Sequence, residues 1–94
     1  MAKIQVKRKT LDGTITAFEF EDKCGKWLVK NFSESEIYVS TEADFVDEEA
    51  IKIPSLIGQE VITNEYLGGL DCYKVTTLYV KGTGEVEVQQ LCHN

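Results

Sequence analysis

Histidine is almost absent from this chain: the one copy, His93, is the penultimate residue, where chain ends fray. That removes the commonest general base, and with it Ser-His and Cys-His nucleophile pairs. Long apolar runs are missing too, and none approaches the ~18–20 residues of a membrane span. The N-terminal stretch through Lys3, Ile4, Val6 and Lys7 alternates charge with apolar side chains and has no signal-peptide core, so synthesis in the cytoplasm without a signal peptide is expected. Cysteines number three, Cys24, Cys72 and Cys92, with no C-x-x-C pair. An odd, unpaired set predicts small buried hydrophobes in a reducing compartment rather than a disulfide framework. A metal site from the three thiols and His93 is disfavoured. Only Cys92 and His93 are close in sequence, and neighbours on a strand point to opposite faces.

What is present is ordinary for a soluble globular domain. The chain has 94 residues, 43% hydrophobic and 28% charged, with 10 Lys plus Arg against 16 Asp plus Glu and a net charge of −6. That length predicts one domain over residues 1–94 with a thin stability margin. Acidic balance disfavours nucleic acid, because the basic group Lys3, Lys7, Arg8 and Lys9 is too small to hold a phosphate backbone against the rest.

Period-2 alternation dominates and predicts strands. Ile4 and Val6, Phe18 and Phe20, Ile37 and Val39, Ile51 and Ile53, Val75, Thr77 and Tyr79, and Val86 and Val88 each share a face. With the apolar run at Trp27, Leu28 and Val29 and a further strand at Val61 and Ile62, about eight short strands are predicted. The expected architecture is an all-β, antiparallel, jelly-roll-like β-sandwich. Its predicted core is Ile4, Val6, Phe18, Phe20, Trp27, Val29, Ile37, Val39, Ile51, Ile53, Val75, Tyr79, Val86 and Val88.

Two hairpins can be registered from their glycines. A three-residue loop at Leu11, Asp12 and Gly13 sets Val6 opposite Phe18 and Ile4 opposite Phe20. A turn starting at Gly82 pairs Tyr79 with Val86 and Thr77 with Val88. Pro54 ends the strand before it. Residues 41–50 carry Thr41 and Asp44 at the spacing of a capping box but no helical stripe, so a loop with at most one helical turn is predicted.

Chemistry is sparse. The acidic stretch Glu42, Asp44, Asp47, Glu48 and Glu49 lacks the order and the glycine of a calcium loop. The glycines at 82 and 84 lie between strands and offer no helix N-terminus to phosphate. No catalytic residue, metal or cofactor is predicted, and the chain is expected not to be an enzyme. Two surfaces remain. The basic strand (Lys3, Lys7, Arg8, Lys9) and the acidic loop (Glu42, Asp44, Asp47, Glu48, Glu49) are complementary, and could steer copies together or onto a host lattice. Unlike patches build rings when the rotation closes, which predicts a homo-oligomer, a trimer first, loosened by salt. The tyrosines and Trp27 offer a second reading, a glycan- or cell-surface-binding module.

Residues 28–33 (Leu-Val-Lys-Asn-Phe-Ser), 36–40 (Glu-Ile-Tyr-Val-Ser), 51–54 (Ile-Lys-Ile-Pro) and 78–88 (Leu-Tyr-Val-Lys-Gly-Thr-Gly-Glu-Val-Glu-Val) resemble small phage and prophage virion proteins, compact β-domains encoded among head and tail structural genes. The resemblance implies a non-catalytic component of a particle, such as a capsid decoration, head-fibre or adaptor protein, with other virion proteins as partners.

Overall fold

A computed structural model describes residues 5–62, 66–67, 70–71 and 75–91. Among these the chain is all-β. β1 (Gln5–Cys24), β2 (Lys26–Asn31) and β3 (Ile37–Ser40) precede a single 3-10 turn at Asp47–Glu49. β4 (Ile51–Ile53), β5 (Gly58–Ile62), β6 (Tyr66–Leu67), β7 (Leu70–Asp71) and β8 (Val75–Gln90) follow. Six strands form one antiparallel sheet in the order β4-β3-β8-β2-β5, with β1 on the other side of β8, while β6 and β7 pair separately.

The two predicted hairpins are instead two long strands. β1 has 20 residues and β8 has 16, and they run antiparallel to each other along almost their whole length. Val6 therefore pairs with Gln89 and Phe18 with Leu78, while Tyr79 pairs with Ala17 and Val86 with Lys9. The reason lies in Gly13, which has φ +95°. A left-handed glycine serves a bulge as readily as a turn. Gly13 and Thr14 together stand opposite Gly82 alone, so β1 bends there and continues.

β8 bends beside it. Its even-numbered residues keep one face throughout: Leu78, Val80, Val86 and Val88 are fully buried. Gly82 and Gly84 lie between them on that face, where a Cβ would stand 2.7 Å from Ile37 Cγ2 and 2.5 Å from Ser33 Cβ. The glycines are thus needed for close packing under the bend. In β1 the bulge shifts the phase, so the inward residues are Leu11 before it and Phe18 and Phe20 after it.

The bend lays the two halves of β1 over each other. Gln5 Nε2 donates to Asp22 Oδ2 at 3.0 Å, and Lys9 Nζ donates to the Ala17 carbonyl at 2.7 Å. Lys7 and Lys9 ammonium groups stand 5.3 Å from the ring centres of Phe20 and Phe18. β4 and β5, at opposite ends of the strand order, are joined by only residues 54–57, which brings the curled sheet nearly to a barrel.

The core contains the predicted Phe18, Phe20, Trp27, Val29, Ile37, Val39, Ile53, Val86 and Val88, plus Leu11, Cys24, Val61, Leu78 and Val80. Val6 and Ile51 are instead exposed at 47% and 39%, and Tyr79 is half-buried while Val75 packs at the core margin. For Val6 and Tyr79 the cause is the straight-through path of β1 and β8, which reverses the faces a hairpin would impose. Ile51 lies on an edge strand of three residues. Ile4 falls outside the described residues. Cys24 is buried and disulfide-bonded, contrary to the reading of all three cysteines as reduced, and Cys72 and Cys92 lie outside the described residues.

Candidate functional site

Of the charged residues singled out from sequence, Lys7, Arg8, Lys9 and Asp47 have side-chain partners within the chain. Arg8 donates through Nε and Nη2 to Glu87 Oε1, at 3.2 and 2.7 Å. Lys30 Nζ stands 3.7 Å from the other carboxylate oxygen, to which Gln89 Nε2 donates at 2.7 Å. Ladder register explains the group: Arg8, Glu87 and Lys30 are direct cross-strand neighbours on β1, β8 and β2, on the sheet face opposite the core. Glu87 is only 5% exposed. The hydrogen bonds from Arg8, then from Gln89, hold its carboxyl below the ordinary range, against the opposing effect of burial. The Arg8 guanidinium is correspondingly raised, chiefly by its hydrogen bond to Glu87.

Lys7 and Lys9 lie on the inward side of β1, folded over phenylalanine rings. Lys3 is outside the described residues. In the acidic loop, Phe45 is buried and anchors the segment. Asp47 accepts from Lys81 Nζ at 3.1 Å, and Glu42 donates its backbone N–H to Ser40 Oγ. Glu42, Asp44, Glu48 and Glu49 are exposed. Among the described residues no group of three or more His, Cys, Asp or Glu converges as metal ligands.

The site that sequence reading missed is polar at its root and apolar at its rim. Asn31, 1% exposed, ends β2. Its Nδ2 donates to the carbonyls of Ser35 at 2.8 Å and Pro54 at 3.0 Å, and more weakly to Ile53 at 3.5 Å. Its Oδ1 accepts from Ser33 N–H at 2.9 Å and Ser33 Oγ at 2.7 Å, and its own N–H donates to the Ile57 carbonyl. One buried amide therefore uses both its ends to hold two loops, residues 33–35 and 54–57, against the sheet.

Those loops display apolar side chains. Phe32 is 46% exposed, Ile57 48% and Leu56 69%. Leu56 adopts φ +60°, an unusual backbone state for a bulky residue that costs about 1–2 kcal/mol. With Lys30, Asn31 and Gly58 these three line an open depression of about 180 Å³. Sites that take whole small molecules run to ~300–1,000 Å³, and this depression is smaller than that. Pro54 marked the turn, but nothing local announced that Asn31 would reach it from more than twenty residues away.

No family model, curated protein or solved structure matches this chain. Trp27, offered above as a sugar-stacking residue, is fully buried, edge-on to Phe20 at 5.3 Å. Its Nε1 has no hydrogen-bond partner among the described residues, and its burial makes it a packing residue. Tyr38 is half-buried and donates its hydroxyl to Glu36 at 3.1 Å; that bond raises its phenol above the ordinary value. Tyr79 is half-buried as well.

Proposed function

We propose that this protein is an interaction module that acts by contact rather than by chemistry, in the setting of a phage or prophage particle. The observation that carries the docking part is the lip of Phe32, Leu56 and Ile57 around the depression. Exposed apolar side chains held rigidly by a buried hydrogen-bond hub, one of them in a strained backbone state, suit an anchoring contact with another protein. The virion setting is supported only by the sequence resemblance, and residues 78–88, which contributed to it as a hairpin, run as one strand. In architecture, we take the curled sheet as a two-layer sandwich folded at its glycines rather than as a jelly roll. The glycan reading has little to use, since exposed aromatic surface among the described residues centres on Phe32.

Purified particles from an induced lysate test this reading. The protein is expected to band with the particles on a density gradient. A Leu56→Asp, Ile57→Asp double variant, with an unchanged far-UV spectrum, should stay in the soluble fraction. Wild-type protein found only in the soluble fraction would remove the virion setting. Equal incorporation of the folded double variant would remove the lip.

A further inference from the structure

A second surface, independent of the apolar lip, is the long edge of β1. One side of this 20-residue strand is laddered to β8; the side turned away pairs with no strand among the described residues. Long unpaired edges template association unless something guards them. Lysine and arginine are the usual guards, and here they are engaged within the chain: Lys7 over Phe20, Lys9 over Phe18, and Arg8 on Glu87. Lys9 Nζ also donates to the Ala17 carbonyl, a bond that pairing at this edge would have to rearrange or share.

The bend decides what can pair with that edge. A regular straight strand could follow β1 before Gly13 or after Thr14, but not both. The added strand must bend on the same line, as β8 does at Gly82 and Gly84. β1 itself carries such a bend. Charge agrees with this choice, because the exposed charges before the bulge are cationic except Asp12, and those after it are the anions Glu19 and Glu21 followed by Lys23.

We propose that two copies of this chain pair antiparallel, β1 against β1, about a two-fold axis between Gly13 and Thr14. This register sets bulge against bulge, two residues against two, so the ladder needs no further interruption. It places Arg8 opposite Glu19 of the second copy, and Val6 opposite Glu21 of the second copy. Facing also agrees. Arg8, paired with Glu87, lies on the face away from the core, and Glu19 shares that face because its neighbours Phe18 and Phe20 point inward. Lys7 and Lys9 fall opposite the inward-facing Phe20 and Phe18 of the second copy. No like charges stand opposite each other. Sliding by two residues preserves the faces but sets each bulge against a regular pair, so the two bends no longer coincide. The contact is isologous and closes at two copies, which makes a dimer the assembly this edge supports.

Sedimentation equilibrium with a cysteine probe tests the pairing. Wild-type protein should show a concentration-dependent mass approaching twice the 10.6 kDa chain. Glu19→Arg, an exposed substitution, reverses two symmetry-related pairs at once and should raise the dimer dissociation constant at least about tenfold. Thr14→Cys lies beside the axis, within the ~4.4–6.8 Å Cα separation a disulfide allows. Mild oxidation of that variant should therefore give, by mass spectrometry, a disulfide-linked peptide that joins position 14 of one copy to position 14 of the other. A monomeric mass at every concentration would overturn the pairing. So would a dimer that is indifferent to Glu19→Arg and yields no such linked peptide. Neither result bears on the lip, whose variants leave β1 untouched.

Discussion

At the scale of single residues, Asn31 and Leu56 show how an exposed apolar surface is made at the expense of local stability. Asn31 is a polar side chain in the core, tolerable only because each end of its amide is matched. What it stabilises is a turn that holds Leu56 at φ +60° with most of its side chain in water. Such a leucine contributes little packing and strains the backbone, so a fold selected for stability alone would favour glycine there. Leu56→Gly relieves about 1–2 kcal/mol of left-handed strain and loses ~0.5–1 kcal/mol through the freer unfolded chain. A net stabilisation of about 0.5 kcal/mol is expected from urea midpoints, together with loss of docking. A destabilised variant would mean that the exposed side chain is packing against its own chain.

At the scale of elements, the two long strands depend on glycine for two different reasons, and substitution separates them. Gly13 has φ +95° and open space where a Cβ would stand. Gly84 has φ +89° and a would-be Cβ 2.5 Å from Ser33 Cβ. Alanine at Gly13 incurs the backbone term only, about 1 kcal/mol. Alanine at Gly84 adds overpacking of ~1–3 kcal/mol and pushes on Ser33, which is bonded to Asn31. Gly84→Ala is therefore expected to lower stability by about 3 kcal/mol, against about 1 for Gly13→Ala, in paired denaturant titrations. Equal costs would show that the bend of β8 gives way without disturbing the residues beneath it.

At the scale of the whole molecule, pH acts through the charge group on the β1, β8 and β2 face. The Glu87 carboxyl lies below its ordinary value of 4.5 in the folded state, because Arg8 and Gln89 hydrogen-bond its charged form. A depressed carboxyl contributes stability that is full above the unfolded-state value and is lost as pH falls through the folded-state value. Asp12 acts with the same sign, lowered by hydrogen bonds from Thr14. Stability should thus hold from neutral pH down to about 5 and fall below about 4.5. Arg8→Met, measured at dilution, is expected to lower stability at pH 7, by a loss kept modest because Arg8 is half-exposed and Lys30 remains beside Glu87. The gap from wild type should close as the pH falls below the ordinary carboxyl value and through the lower folded-state value of Glu87. A gap that stays constant with pH would assign the loss to packing of the arginine stem instead.

Alternation showed that this chain is built of strands and marked Phe18, Phe20, Ile37, Val39, Ile53, Val86 and Val88 as core, because side chains on a pleated strand alternate wherever one face is buried. A short apolar run marked Trp27 and Val29. Pro54 marked the end of β4, and residues 41–50 form the expected loop. Its single 3-10 turn lies at Asp47–Glu49 without a side-chain cap, rather than at the capping-box spacing of Thr41 and Asp44. Tertiary structure decided what the glycines do. The same left-handed conformation at Gly13 closes a hairpin or makes a bulge, and no neighbour in sequence distinguishes the two. The choice came from β8, whose matching bend lets β1 pair along its length, and it turned Val6 outward and Leu78 and Val80 inward. The apolar lip was hidden for a related reason. Phe32, Leu56 and Ile57 read locally as ordinary loop residues, and only the hydrogen bonds of Asn31 across the sheet bring them together.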